Sequence, residues 1–381
     1  MSDSPNLDTD GVATPSTSRK NCWPAEYHDL DFDLPEELVA KHPVEPADHA
    51  RLMVIDRAQQ SITHDFFYNL GNYLATGDAI VYNATQVEER RVHVKPAGSE
   101  KAFECVFLKN VPPLPTAPPP PSGGRPGGGT WQVLMRNIRR LKEGTVLHAA
   151  KDAAYEFVLS READKIFVKA NRSLGPSDFA RIGEMPLPPY MKRAAEAKDS
   201  ETYQNFFSQQ IAEKDKVQGS VASPTAALHF TQDLYARLRA QSVGFYPVCL
   251  DIGYGTFAPL TEQNFTTASL HAEHYFIPQA TADLLQNGSG KRRIALGTTS
   301  LRALLSFHAY GKNEGETRIF IKPGDALAGV EGLITNFHLP QSSLLLLVAA
   351  FAGRELTARA YREAVLQKYR FFSYGDAMLI I

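Results

Sequence analysis

The chain has little cysteine and no long hydrophobic run. Its 381 residues include three cysteines, Cys22, Cys105 and Cys249, which are far apart and form no Cys-x-x-Cys pair. An odd number of widely spaced thiols argues against a disulfide framework and against a thiolate metal site. The aliphatic run from Leu344 ends before Gly353, well short of the roughly 20 apolar residues that span a bilayer. We therefore expect no membrane contact and a cytoplasmic location.

The motifs of common cofactor sites are also missing. The sequence contains no phosphate-binding Gly-x-x-x-x-Gly-Lys-Ser/Thr and no His-Glu-x-x-His, and its "GYGTF" lacks the third glycine of a dinucleotide fingerprint. We therefore expect no bound metal, no NAD and no nucleoside triphosphate. The net charge of −2 indicates that any nucleic-acid partner would be held by a local basic patch. The acidic, Ser/Thr/Pro-rich residues 1–24 lack the layout of a secretion signal and are predicted to be a disordered leader.

Two kinds of hydrophobic pattern divide the rest of the chain. Between residues 85 and 183, short alternating runs flank a Pro/Gly-rich segment at residues 111–130, which predicts a small inserted β-barrel with a surface loop. Residues 25–84 and 184–381 alternate strand-like and helical runs. That alternation is typical of an α/β domain with a mainly parallel sheet flanked by helices. Pro340 is predicted to open the aliphatic helix near the C-terminus.

Small and polar residues recur where the predicted strands end. In open α/β sheets, ligands bind beyond the carboxyl ends of the strands. The extended segment "LHAEH" adds a histidine and a glutamate two positions apart, which would share one face. The candidate site residues are Thr225, His229, Asp251, Gly253, Gly255, Thr256, His271, Glu273, Gly297, Thr298, Thr299, Arg302, Thr335, Asn336 and His338.

Each of these residues also has a purely structural interpretation. Glycines can serve a tight turn, Ser and Thr can cap a helix, and a histidine such as His229 is often a hydrogen-bonded core residue. The pair His271 and Glu273 could be a surface ion pair. The repetition of polar clusters at strand ends favours a shared site over several independent coincidences.

A second group of residues indicates a nucleic-acid surface. The C-terminal segment interleaves Arg370 with aromatic residues, including Tyr374, and Tyr190 and Arg193 follow a proline-rich turn. Basic residues between aromatic ones suit a surface that follows a backbone and stacks bases. The alternative is a cationic helix end beside an aromatic core seam.

Seven motifs follow one another along the chain: "MPLPPY" with Arg193, "GSVASPTAALHF", "GYGTF", "LHAEH", "GTTSLR", "TNFHLP" and "YRFFSYGDAM". In these motifs and in their order, the chain resembles the S-adenosylmethionine:tRNA ribosyltransferase-isomerases of queuosine biosynthesis. The resemblance implies an α/β domain with an inserted barrel and, as substrates, S-adenosylmethionine and a tRNA anticodon. It further implies transfer and isomerisation of the ribosyl group onto 7-aminomethyl-7-deazaguanine at the wobble position, which gives epoxyqueuosine and releases adenine and methionine. No cofactor is implied, because S-adenosylmethionine is the ribosyl donor.

That reaction assigns tasks to residue types. Deprotonation beside the sulfonium requires a base, for which His229, His271 and His338 are candidates. Glu273 or Asp376 could protonate the departing adenine, and Arg302 or Arg370 suits a carboxylate or phosphate. The expected substrate-binding residues are the remaining strand-end positions above. The expected tRNA-binding residues are Arg91, Tyr190, Arg193, Arg370 and Tyr374.

Four positions depart from the family pattern: Gln86, Ala227, Asp251 and Leu305. Gln86 stands where the family has arginine, Asp251 where it has histidine, Leu305 where it has glutamate and Ala227 where it has glycine. These departures keep two alternatives open, a relative that uses another acceptor and a tRNA-binding protein without turnover. We expect a monomer.

Overall fold

The computed structural model describes residues 23–111, 128–138, 141–163, 165–208, 220–253, 260–288 and 290–381. Most of the predicted leader and of the Pro/Gly-rich segment lies outside these residues. Trp23, near the predicted end of the leader, is buried, and its indole nitrogen donates a 2.8 Å hydrogen bond to the carbonyl of Tyr27.

The described chain forms two sheets, with strands and helices numbered in chain order. The strands of the first sheet are β1 (Arg51–Asp56), β2 (Ser61–Phe66), β3 (Ala79–Asn83), β11 (Gly244–Leu250), β12 (Ser269–Phe276), β13 (Arg293–Leu296), β14 (Glu314–Ile319), β15 (Gly332–Asn336) and β16 (Ala377–Ile380). The strands of the second sheet are β4 (Arg91–Pro96), β5 (Phe103–Val111), β6 (Thr130–Met135), β7 (Val146–Ala149), β8 (Glu156–Glu162), β9 (Lys165–Ala170) and β10 (Gly183–Glu184). The α-helices are α1 (Pro176–Ile182), α2 (Asp199–Thr202), α3 (Gln232–Ala240), α4 (Glu262–Thr267), α5 (Gln279–Asn287), α6 (Thr298–Tyr310), α7 (Ser343–Ala352) and α8 (Arg354–Leu366).

The nine-stranded sheet is mixed, so the prediction of a mainly parallel sheet was wrong in that respect. Its order is β14-β12-β11-β3-β13-β15-β16-β1-β2. The neighbours from β11 through β3 and β13 to β15 are parallel, as are β16 and β1. The other four neighbouring pairs are antiparallel. The strand-then-helix pattern correctly located the parallel centre but carried no signal for strands that join its edges in the opposite direction.

The second sheet closes into a barrel, as predicted. Its order is β10-β4-β5-β6-β9-β8-β7, and β4 also pairs with β7, so six strands form a closed antiparallel ring. The ring is filled by aromatic side chains, since Phe107 makes edge-to-face contacts with Trp131, Phe157 and Phe179. Residues 112–127, between β5 and β6, are not described. Closure leaves this sheet without free edges except at the short β10.

Alternating side chains of the nine-stranded sheet are buried on both of its faces. Met53 and Ile55 of β1 belong to the hydrophobic cluster that contains α6, α7 and α8 residues. Leu52 and Val54 of the same strand belong to the cluster that contains α3 residues. This period of two is the side-chain alternation of a strand, and it explains why the central strands are apolar throughout.

The aliphatic segment after β15 is the buried helix α7, but Pro340 does not open it. Pro340 lies in a turn before the helix, and the N-cap is Ser342, whose hydroxyl accepts a 3.2 Å hydrogen bond from the amide of Leu345. An N-cap serine satisfies one of the free amides of a helix start. Among the described residues, no helix is both long and apolar enough to cross a membrane.

Candidate functional site

The site lies where four parallel strands end side by side. Because β11, β3, β13 and β15 are adjacent and parallel, their carboxyl ends share one edge of the sheet. The residues that follow them include Asp251 after β11, Gly297 after β13 and His338 after β15. The sequence prediction that these segments converge is consistent with this topology.

His229 is held by an amide network in this region. Its Nε2 lies 2.9 Å from Nδ2 of Asn336, and Oδ1 of Asn336 accepts a 3.3 Å hydrogen bond from the hydroxyl of Thr225. The ring packs on Phe67 at 5.0 Å between centroids and is 3% exposed. Burial, together with the nearby Arg370 charge, lowers the pKa of His229 to about 4. The imidazole is therefore neutral at pH 7, in a packed setting that also fits the core-residue interpretation.

His338 has a similar environment on the other side of β15. Its Nε2 lies 3.1 Å from the hydroxyl of Thr335, and its backbone amide donates a 3.2 Å hydrogen bond to the hydroxyl of Tyr361. Burial lowers the pKa of His338 to about 3. Tyr361 was not singled out from the sequence, because a tyrosine inside an amphipathic helix looks like any other core residue.

His271 and Glu273 form a dyad that differs from the buried histidines. Nε2 of His271 lies 2.9 Å from a carboxylate oxygen of Glu273, and the histidine side chain is 31% exposed while the glutamate is 1% exposed. The same carboxylate pairs with Arg302 and accepts a 3.4 Å hydrogen bond from the amide of Gly253. A buried carboxylate thus orients a solvent-accessible imidazole beside the end of β11.

The start of α6 adds a backbone turn and two hydroxyls. Gly297 has φ 88° and ψ 155°, a region open almost only to glycine. A Cβ atom added there would lie 3.6 Å from Ala226, so the turn packs against the segment that carries Thr225. Thr298 and Thr299 are buried, and the hydroxyl of Thr299 has no hydrogen-bond partner in the described part of the chain.

Asp251 has a property that its sequence context did not reveal. Burial raises the pKa of its carboxyl from 3.8 to about 7. The Arg90 charge opposes this rise, and the Glu273 charge adds to it. One carboxylate oxygen, Oδ1, is buried and makes no hydrogen bond within the described residues. The carboxyl is therefore partly protonated near pH 7.

Asp376 was predicted as a proton donor, and its surroundings are those of a structural carboxylate. One oxygen accepts a 2.9 Å hydrogen bond from the amide of Arg51, and the other accepts one of 2.7 Å from the amide of Arg370. Both oxygens hold backbone in place, and the residue is 2% exposed. An aspartate between a glycine and an alanine carries no sequence signal that separates these two roles.

The predicted tRNA-contacting residues fall into different environments. Tyr374 is 2% exposed and its hydroxyl donates a hydrogen bond to Asp199, so its buried ring has no free surface on which a base could stack. Arg193 is paired with the same buried aspartate. Tyr190 stacks on Phe372 at 4.0 Å and remains partly exposed.

Arg91 and Arg370 make backbone contacts of their own. Arg91 donates to the carbonyl of Leu187, and Arg370 to the carbonyl of His42. Burial lowers the pKa of Arg370, with Asp376 opposing the change. Both side chains are partly exposed, so each retains a surface that an anion can reach.

The departures from the family pattern also separate by environment. Gln86 is exposed, whereas Ala227 and Leu305 are buried in the hydrophobic clusters. Of these positions only Asp251 places a titratable group at the site. Gly255 and Thr256 lie outside the described residues. Within the described residues, no group of three or more histidine, cysteine, aspartate or glutamate side chains is arranged to hold a metal ion.

Unpartnered polar atoms concentrate at this edge of the sheet. Ten buried side-chain nitrogen or oxygen atoms have no hydrogen-bond partner within the described residues, and five of them belong to Ser223, Asp251, Thr299 and Arg302. Native proteins leave few such atoms, and each one calls for an explanation. A polar ligand at the carboxyl ends of β11, β13 and β15 would supply the missing partners.

Comparison with known proteins gives one consistent answer. A family model described as queuosine biosynthesis protein matches residues 27–380. Two proteins named S-adenosylmethionine:tRNA ribosyltransferase-isomerase, from Sulfurihydrogenibium sp. (strain YO3AOP1) and Aquifex aeolicus (strain VF5), are 40% and 39% identical to the chain, over 93% of its length and 99% of theirs. The crystal structure of an S-adenosylmethionine tRNA ribosyltransferase from Thermotoga maritima matches with a TM-score of 0.50 at 31% identity, covering 93% of this chain and 100% of that one.

Proposed function

The chain belongs to the queuosine biosynthesis protein family, and we propose that it transfers the ribosyl group of S-adenosylmethionine to 7-aminomethyl-7-deazaguanine at the tRNA wobble position. The ribosyl group is isomerised to an epoxycyclopentanediol, giving epoxyqueuosine, adenine and methionine. The relatives named for this transferase-isomerase activity match nearly the full chain at about 40% identity. This agrees with the resemblance inferred from the ordered motifs.

The observation that carries the proposal is the concentration of unpartnered buried polar atoms at one edge of the sheet. A sulfonium nucleoside presents ribose hydroxyls, an adenine and an amino acid, each of which needs polar partners. We assign Thr299, whose hydroxyl has no partner within the described residues, to a ribose hydroxyl or the adenine edge. Thr225 and Asn336, which are hydrogen-bonded to each other, are assigned to the same contacts. The substrate would thus satisfy groups that are costly to leave buried and unpaired.

His271 is our choice for the base that removes the proton beside the sulfonium. A base must reach the proton that it takes and must be held in one orientation. His271 meets both conditions, because its ring is partly exposed and Glu273 fixes one of its nitrogens at 2.9 Å. His229 and His338 are buried, and each has Nε2 next to an amide or hydroxyl.

Asp251 is our choice for the acid that protonates the departing adenine. A general acid works best when its pKa is near the working pH, and burial raises the pKa of Asp251 to about 7. Glu273 is already paired with His271 and Arg302, and Asp376 bonds two backbone amides. The aspartate would take the place of the histidine that the family has at this position.

The tRNA would reach the site with its wobble base flipped out of the anticodon stack. Flipping costs a few kcal/mol, which aromatic stacking and cationic contacts offset. Tyr190, Arg91 and Arg370 are partly exposed and are the residues we assign to this contact. We propose that the protein acts as a monomer, which light scattering would report as about 42.1 kDa, and in the cytoplasm, where a tRNA substrate would be met.

Adenine release tests the function directly. Purified protein is incubated with S-adenosylmethionine and either tRNA carrying 7-aminomethyl-7-deazaguanine, the same tRNA with guanine, or no RNA, and adenine is measured by chromatography. We expect release only with the modified tRNA, together with epoxyqueuosine in the digested RNA. Release with unmodified RNA would indicate another acceptor, and no release with any RNA would indicate a binding protein.

A further inference from the structure

A buried guanidinium at the site is only partly satisfied. Arg302 is 4% exposed and its Nη1 pairs with Glu273. Its Nε and Nη2 are buried and have no hydrogen-bond partner within the described residues. Leaving charged donors buried and unpaired is costly, so this arrangement favours an anionic ligand that completes it.

The two unpartnered nitrogens lie on the same edge of the guanidinium. Nε and Nη2 direct parallel N–H groups to one side of the planar group, which is the fork that binds a carboxylate through both oxygens. Glu273 occupies Nη1, so the free edge is left for a second planar oxyanion.

A small pocket lies beside Arg302. Arg302 lines it together with His271, Leu270, Ile321, Leu344 and Leu347. Its cavity volume is about 10 Å³, roughly the space of one water molecule and far below the roughly 300–1,000 Å³ of complete small-molecule sites. The pocket therefore suits the small charged end of a ligand rather than a complete nucleoside.

The first residue of α7 also lines the pocket. Ser343 begins this ten-residue helix, and the amides of a helix start carry a partial positive charge. A cation and a helix start would act together on an anion. The aliphatic walls suit methylene and methyl groups and do not suit a hydrated phosphate.

We propose that the free edge of Arg302 binds the methionyl carboxylate of S-adenosylmethionine at this pocket. The aliphatic walls then contact the methylenes, and the sulfonium end lies towards His271, our assigned base. This inference rests on the proposed function, since it names how that substrate is held. The other source of the same oxyanion chemistry is a phosphate of the tRNA, which the experiment below distinguishes.

Substrate and side chain can be altered independently. The variants Arg302→Gln and Arg302→Lys are assayed for adenine release with S-adenosylmethionine and with its decarboxylated analogue. For Arg302→Gln we expect KM for S-adenosylmethionine to rise about 10- to 100-fold, the usual effect of losing a hydrogen bond to a charged group. KM for the decarboxylated analogue should be the same for the variant and the wild type. Arg302→Lys should retain the charge but not the two parallel N–H groups, so its KM for S-adenosylmethionine should lie between those of the wild type and Arg302→Gln.

Arg318→Gln is the matched control. Arg318 lies exposed on β14, so its loss removes one positive charge near the pocket without entering it, and KM should stay within about twofold of wild type for both donors. A rise in KM for tRNA instead of S-adenosylmethionine would assign the edge to a phosphate and overturn the proposal. An equal rise in KM of Arg302→Gln for S-adenosylmethionine and for its decarboxylated analogue would also overturn the proposal, because it would mean that Arg302 has a structural role.

The wild-type protein separates this inference from the proposed function. Turnover of S-adenosylmethionine with modified tRNA tests the function alone. If that turnover is present but the wild type uses both donors with equal KM, the function stands and the carboxylate pocket is wrong. Unfolding curves of each variant show whether a loss of activity reflects a loss of fold.

Discussion

The three candidate histidines differ in what their ring nitrogens contact. His229 and His338 are buried and have pKa values lowered by burial to about 4 and about 3. His271 is partly exposed and paired with a buried carboxylate. The sequence already suggested the pairing of His271 with Glu273 from their spacing on one strand. It did not show that His229 and His338 are buried, because their burial depends on segments far away in the chain.

The first prediction concerns the base. Replacing His271 by alanine should lower kcat by about 10²- to 10⁴-fold, the usual contribution of a general base, with little change in the midpoint of unfolding. Single-turnover adenine release measures this. His274→Ala is the control, because His274 lies on the same strand and forms a similar 3.2 Å pair with Glu314. Normal turnover by His271→Ala alongside an inactive His229→Ala would transfer the role to His229.

The second prediction concerns Asp251 and pH. The pKa of Asp251 is raised from 3.8 to about 7 in the folded protein. Between these two pH values the folded state therefore binds more protons than the unfolded state. The stability that this group contributes is lost as the pH rises through 7. Asparagine does not ionise. The Tm of Asp251→Asn relative to wild type should therefore increase from pH 5 to pH 8, as measured by scanning fluorimetry. A difference that stays constant with pH would show that the carboxyl is not perturbed.

At the scale of elements, strand ends position the site and helix starts shape it. The turn from β13 into α6 depends on Gly297, whose φ of 88° a side chain rarely adopts. The equivalent entry into α7 uses Ser342 as a capping residue. The sequence suggested Ser or Thr caps at the start of α6, where the cap position is Gly297. It misplaced the start of α7 at Pro340, because proline and serine both occur at helix starts and the chain offers them two residues apart.

The third prediction tests the glycine turn. Gly297→Ala should destabilise the protein by about 1–3 kcal/mol, because ψ 155° at this φ is open almost only to glycine. A Cβ there would meet Ala226 at an acceptable 3.6 Å, so the cost is one of backbone conformation. Gly175→Ala is the control, since Gly175 also precedes a helix but has φ −124°. Urea unfolding of both variants measures the difference, and equal effects would remove the conformational explanation.

At the scale of the whole molecule, the sequence was sufficient to predict the two-sheet architecture. It was insufficient to predict which strands run antiparallel and which site residues are buried. Alternation of strands with helices predicted the α/β sheet, and short alternating apolar runs predicted the barrel, since these patterns reflect burial along single elements. The antiparallel edge strands and the packed ring of Tyr374 depend on contacts between segments far apart in the chain. Asp376 belongs to the same group, because its partner Arg51 is 325 residues away.

The central claim is that the carboxyl ends of β11, β3, β13 and β15 form one cavity for S-adenosylmethionine. A crystal structure of the complex with this substrate tests it most directly. The account predicts the ribose between His271 and Asn336, the methionyl carboxylate on Arg302, and the adenine within reach of Asp251. Density for the nucleoside on the barrel or on another face of the sheet would contradict it.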